Sequence, residues 1–136
     1  MAAKQDADLL SPFVAQHALA AFISEGHLAR HIRKMRAIYS QRRRQLLDGL
    51  QRDFARYLQP IPSFAGLHIA ALLREPGDAE DVVKRAQDRG VGLLSVGRYD
   101  MAKPDKQGLI FAYGAIEEHA IVTGLSELRR VWRTRR

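Results

Sequence analysis

Apolar residues recur at helical spacing through the first half of the chain and gather into short runs in the second. Leu28, Ile32, Met35, Tyr39, Leu46, Leu50, Phe54 and Tyr57 follow three- and four-residue steps or their sum. That spacing predicts one long amphipathic helix over about residues 27–57, with its arginines opposite the apolar stripe. Pro60 and Pro62 cannot continue it. Upstream, Ser11-Pro12 reads as a cap and first helical residue, 13–24 as a shorter Ala-rich helix, and Gly26 as its C-cap glycine. Downstream, the run 66–73 is short, apolar and bounded by Pro62 and Pro76-Gly77, which predicts a buried strand. A helix capped near Asp78 runs through Asp88, with Val82, Val83 and Ala86 inward and Gly90 at its end. Residues 91–96 and 109–113 read as further strands separated by a polar loop over 99–107. A last helix starts near Ile116, with Ile121, Leu125, Leu128 and Trp132 on one face. The expected fold is α/β (α+β) with a small three-stranded sheet covered by helices. Residues 1–10 read as a disordered N-terminus, 11–58 as the two leading helices and 59–136 as the sheet-bearing domain.

Composition narrows the class. At 136 residues and 46% hydrophobic, the chain suits one domain with a real core. No cysteine is present, which excludes disulfide scaffolds, thiolate zinc sites and thiol catalysis. No run approaches about 18 apolar residues, and residues 1–8 do not form a signal peptide. A cytoplasmic protein with no membrane partner is therefore expected. Charge is the anomaly: 22 Lys+Arg against 15 Asp+Glu gives +7. Residues 26–47 hold seven Lys and Arg and no acid, and Arg129, Arg130, Arg133, Arg135 and Arg136 close the chain. Such clusters either grip planar anions or are the solvated faces of helices, and a small basic nucleic-acid-binding or protein-interaction module stays open.

The residues offer no self-sufficient catalytic centre. His27 and His31 would share a helix face but lack the third ligand a zinc helix needs, so no metal site is expected. His17, His68 and His119 stand alone. Ser63 and Ser95 sit near strand ends without a G-x-S-x-G elbow. Gly90, Gly92 and Gly97 do not open a helix, so no phosphate loop is present. No catalytic residue is assigned.

A resemblance sharpens this picture. Phe22-Ile23-Ser24-Glu25-Gly26-His27-Leu28-Ala29-Arg30-His31-Ile32-Arg33-Lys34-Met35-Arg36 is similar to the F-I-x-E-G-H-x-x-R-H-x-R-x-M-R signature of MocR-type transcriptional regulators. Tyr39, Arg42-Arg43 and Leu46 match its Y-x-x-R-R-x-x-L. Ala65-Gly66-Leu67-His68 resembles its A-G-L-H, Gly90-Val91 its G-V, and Arg98-Tyr99 the R-Y of its S-R-Y-Y. Gly108-Leu109-Ile110-Phe111-Ala112-Tyr113-Gly114 is similar to its G-L-L-L-G-Y-A. The match covers about residues 11–132.

That family joins a GntR-type winged helix–turn–helix to a pyridoxal-phosphate-dependent aminotransferase-like domain of fold type I. The resemblance implies that this chain is the C-terminal third of such a domain: a lead-in helix, the long interdomain helix and the small domain. The DNA-binding module and the large domain would then lie upstream. The cofactor implied is pyridoxal 5'-phosphate, held elsewhere in the family as a Schiff base to a lysine. Here only Lys4, Lys34, Lys84, Lys103 and Lys106 occur, none in the family's S-K context. The chain is therefore expected to be inactive alone, to sense an amino-acid-like effector, and to associate as a homo-oligomer or with a large domain. An aminotransferase small domain acting with a separate large-domain chain is the other form of this reading. DNA would be reached only through the upstream module.

Arg98 matches the arginine with which family members grip a substrate carboxylate, a bidentate contact suited to an amino acid. The other reading is a loop arginine in solvent. Tyr99 and Gly66 are the ligand-proximal candidates; Gly66 either permits close backbone approach or serves as a turn glycine. Gly97 and Asp100 stand where the family has Ser and Tyr, and an acid at position 100 would compete for the guanidinium.

Overall fold

The computed structural model describes residues 12–63, 65–99 and 106–133. The expected disordered stretch 1–10, the Ser11 cap, Asp100, Lys4 and Lys103 lie outside these. The elements are α1 (Phe13–Ser24), α2 (His27–Phe54), β1 (Leu58–Pro60), β2 (His68–Leu73), α3 (Ala79–Gln87), β3 (Leu94–Ser95), a 3-10 turn (Val96–Tyr99), β4 (Gly108–Ala112) and α4 (Glu118–Arg133). The chain divides into two units, one ending at Ile38 and one beginning at Tyr39, so the division falls inside α2.

In the first unit, α1 buries no residue. Phe13, Val14, Leu19, Phe22 and Ile23 are all exposed, Val14 to 81%. Pro12 occupies the N-cap position and no side chain caps the helix. Gly26 at φ +75° closes it, its N–H donating to the Ile23 carbonyl, as the C-cap reading required.

The second unit carries the sheet, with strand order β1-β2-β4-β3 and every pair antiparallel. Four strands stand where three were expected. The added one, β1, begins three residues after α2 ends and carries Pro60 at its end, a residue that argues against a strand in sequence but is tolerated at an edge. The strand expected over 91–96 shrinks to Leu94–Ser95. Its start serves the preceding helix instead: the Val91 N–H donates to the Ala86 carbonyl at 2.9 Å, closing the end of α3. The strand expected over 66–73 begins at His68, α2 ends at Phe54 rather than Tyr57, and α4 begins at Glu118 rather than Ile116.

Alternation on β2 and β4 fixes the layering. Ile69 and Ala71 face Phe111 and Leu109 across the ladder, and all four are buried. They join Leu46, Leu50 and Phe54 of α2, Val82 and Ala86 of α3, and Ile121, Leu125, Leu128 and Val131 of α4 in one core. Trp132 meets Phe54 edge-on at 5.4 Å between ring centroids and stacks on Tyr57 at 5.5 Å. The alternate residues His68, Ala70, Ile110 and Ala112 occupy the other face, half-buried or exposed. Glycine is required at 108, where a Cβ would stand 2.8 Å from the Ala71 carbonyl. Asp78 caps α3 as expected, its carboxylate accepting from the Glu80 N–H at 2.9 Å.

Two arginines of α2, Arg42 and Arg43, depart from the expected outward arrangement, while Arg30, Arg33, Arg36 and Arg44 are exposed. Arg42 stands three residues after Tyr39 and four before Leu46; Arg43 stands four after and three before. Both therefore lie on the side of the apolar stripe. Both are half-buried and donate to backbone carbonyls, Arg42 to Gly114 at 2.8 Å and Arg43 to Ser63 at 2.6 Å. Among the described residues no helix is long and apolar enough to cross a membrane.

Candidate functional site

The open face of the sheet carries a hollow of about 430 Å³. Its floor is Ala70 and Ile110, paired across β2 and β4, with His68 one position along the same face of β2. Ile61, Ser63, Ala65 and Gly66 form one wall and Tyr99 another. The sequence-predicted Gly66 and Tyr99 thus line the same cavity. Arg98 precedes Tyr99 in the 3-10 turn, is exposed, and makes no hydrogen bond or ion pair with a described residue. It is not among the lining residues.

The wall residues Ile61, Ser63, Ala65 and Gly66 are braced by hydrogen bonds from within the wall and from Arg43 and Tyr113 outside it. Arg43 of α2 donates to the Ser63 carbonyl, and the Ser63 hydroxyl donates to the Ala65 carbonyl at 2.9 Å. The Tyr113 hydroxyl donates to the Gly66 carbonyl at 2.8 Å, while the Tyr113 N–H donates to the Leu67 carbonyl at 3.0 Å. Gly66 adopts φ +84° with open space where a Cβ would stand, so its glycine character is conformational. A charged donor on a carbonyl contributes more than a neutral one, so Arg43 is the stronger anchor of the wall and the Tyr113 hydroxyl the weaker.

Sequence reasoning left His68 isolated and dismissed Ser63 as a nucleophile; both belong to the hollow, neither paired with a catalytic partner. Ile61, Ala65, Ala70 and Ile110 were not singled out, because their grouping depends on the register that sets Ala70 opposite Ile110. Ser95 is buried to 3% and donates to the Glu80 carboxylate, so its hydroxyl is engaged in the core. His27 lies 3.2 Å from Glu25 and 3.3 Å from Arg30, and among the described residues no three metal-ligating side chains gather. The resolved electrostatic shifts are remote from the hollow. A hydrogen bond from Arg52, aided by the charges of Arg52 and Arg129 and opposed by burial, holds the Asp53 carboxyl below the usual carboxylate range. The same bond raises Arg52.

The described lysines do not fit the cofactor the resemblance implies. Lys34, Lys84 and Lys106 are all exposed, the first two on helices and the third before β4, and none lines the hollow. Among the described residues no lysine amine lines the hollow to hold an aldehyde cofactor there.

No family model matches the chain. It is 32% identical over 114 residues to a probable rhizopine catabolism regulatory protein, MocR, of Rhizobium meliloti, covering 84% of this chain and 23% of that protein. It is 29% identical over 117 residues to the HTH-type transcriptional regulator YhdI of Bacillus subtilis, covering 86% and 25%. The chain thus spans about a quarter of the length of these relatives. Its fold is similar to that of a kynurenine aminotransferase of Pyrococcus horikoshii, solved in complex with PMP. There the TM-score is 0.83 at 22% identity, covering 97% of this chain and 33% of that one. The residues that carried the resemblance fall in α1, α2, β2, the 3-10 turn and β4 and in the connections at 25–26, 65–67, 90–91 and 113–114. By sequence the chain is a homologue of the MocR-type transcriptional regulators, and its fold matches a third of the Pyrococcus aminotransferase chain.

Proposed function

We propose that this chain is the effector-sensing, aminotransferase-like segment of a pyridoxal-phosphate-dependent transcriptional regulator. Its role is to bind a carboxylate ligand, and it does not transaminate alone. The observation that carries this reading is the hollow walled by Gly66 and Tyr99, with Arg98 exposed next to Tyr99 in the 3-10 turn. A guanidinium without a described carboxylate partner matches an amino acid's α-carboxylate, and the open sheet face accommodates the rest of the molecule. Pyridoxal phosphate, when bound by the assembled regulator, supplies an electrophilic carbonyl for the amino group. The residues of this chain contribute the carboxylate grip and one wall.

The reading extends to association. A helix that exposes Phe13, Val14, Leu19, Phe22 and Ile23 presents an apolar surface that water disfavours. In this proposal α1 packs on an aminotransferase-like large domain or on a second copy. A purified chain that sediments as a monomer at high concentration would remove that part.

Arg98 is tested by titrating the chain with L-alanine and L-glutamate while following amide chemical shifts. Arg98→Ala should weaken both ligands by about tenfold or more and leave the melting temperature unchanged. Equal binding by the variant and the parent would sink the proposal. Separately, the chain mixed with pyridoxal phosphate and desalted should retain no cofactor absorbance; a retained, shifted band would overturn inactivity in isolation.

A further inference from the structure

Some cations of this chain are held by neighbouring groups. Arg42 and Arg43 are bound to carbonyls, and at the C-terminal end Arg129 lies 3.8 Å from Asp53 and Arg130 2.8 Å from Glu127. Others, such as Arg44, Arg56, Lys84 and Arg98, are exposed singly without a carboxylate partner among the described residues, whereas Arg30, Arg33, Lys34 and Arg36 crowd within residues 30–36. These last four are exposed on the first half of α2, and no carboxylate among the described residues pairs with any of them. The Arg30 guanidinium meets the His27 ring at 3.3 Å. Residues 26–47 contain no acid that could neutralise them locally.

Their spacing makes a surface. Arg30, Arg33, Lys34 and Ala37 follow the i, i+3, i+4, i+7 pattern, so three cations share one ridge with a small residue, and Arg36 flanks it. Six residues of helix span about 9 Å, so four like charges crowd a short length and repel one another. An external polyanion relieves that repulsion. The ridge carries no bulky apolar side chain, whereas a helix that lies on a membrane interleaves its cations with Trp, Phe or Leu. An exposed helix about 10–12 Å across also matches the width of a DNA major groove, about 12 Å.

We propose that the ridge Arg30–Arg33–Lys34, flanked by Arg36, binds the phosphate backbone of duplex DNA without sequence preference. The guanidinium forks of the arginines contact phosphate oxygens pairwise, and Lys34 acts as a point charge. Binding is tight at low salt and weak at physiological salt, as expected for a purely electrostatic contact.

The test is fluorescence anisotropy of the full chain with a labelled 20-base-pair duplex of mixed sequence between 50 and 200 mM NaCl. Three to four neutralised phosphates predict a log–log slope near −3, a loss of roughly 60-fold across that range. Arg33→Ala with Lys34→Ala should lower the slope magnitude by about 2 and cost at least tenfold in affinity at 50 mM. Arg129→Ala with Arg130→Ala should leave affinity within about twofold, since those cations already have acidic neighbours. Far-ultraviolet circular dichroism of each variant confirms that the helices persist. No binding at 50 mM would overturn the proposal, as would an equal loss from the two double variants, which would reduce the effect to net charge. So would binding to phosphatidylglycerol vesicles by a chain that ignores the duplex.

Discussion

Arg36 and Arg43 occupy equivalent places in the pattern of one helix and do different things. Each stands four residues after one member of the apolar stripe and three before the next: Ile32 and Tyr39 for Arg36, Tyr39 and Leu46 for Arg43. Arg43 is half-buried under the segment that carries Ser63, to whose carbonyl it donates. Arg36 is exposed, and so is Ile32 beside it, to 41%. Periodicity therefore specifies a side of the helix, and the cover over that side decides whether an arginine acts as a strut or as free charge.

The largest effect should come from the stripe itself. Phe54→Ala, at a fully buried position against Trp132, is expected to cost about 3–5 kcal/mol by urea unfolding. Ile32→Ala should cost under about 1 kcal/mol, because little apolar area leaves the interior there. Similar losses at both positions would mean that the stripe is covered along its whole length, and the contrast would fail. The next step down is the arginine pair. Arg43→Ala removes a charged donor from a half-buried carbonyl and should cost about 1–2 kcal/mol, with amide shifts at Ser63 and Gly66. Arg36→Ala should stay within about 0.5 kcal/mol.

The smallest effect concerns pH. The folded Asp53 carboxyl titrates below its unfolded value because Arg52 donates to it. Its contribution to stability is therefore present above the usual carboxylate range and fades as pH falls through the folded value. Asp53→Asn should lower stability slightly at pH 7 and not at pH 2.5, so the two melting curves converge on acidification. A gap that widens in acid would reverse the assignment.

Much of the fold was legible in the sequence because helices announce themselves locally. The spacing of Leu46, Leu50 and Phe54 placed α2, and Asp78 with Val82 and Ala86 placed α3. Strands were less legible because their limits depend on partners. Nothing near Pro60 suggested β1, which exists because β2 offers it a ladder. Val91 looked strand-like but gives its N–H to the end of α3. At the site, Gly66, Arg98 and Tyr99 came from the motif resemblance, while Ile61, His68, Ala70 and Ile110 awaited the register that gathers them. Arg43 and Tyr113 are positioning residues whose targets are carbonyls, and a carbonyl leaves no trace in an amino-acid sequence.

The two outermost strands are short: β1 spans three residues and ends in proline, and β3 spans two. Unpaired backbone along the rim of a sheet is a template for edge-to-edge polymerisation. Here a visiting strand would find only a few donors and acceptors before the rim gives way to a proline on one side and a 3-10 turn on the other. The sheet is thereby closed to extension, and the route to amyloid-like stacking through its margins is blunted.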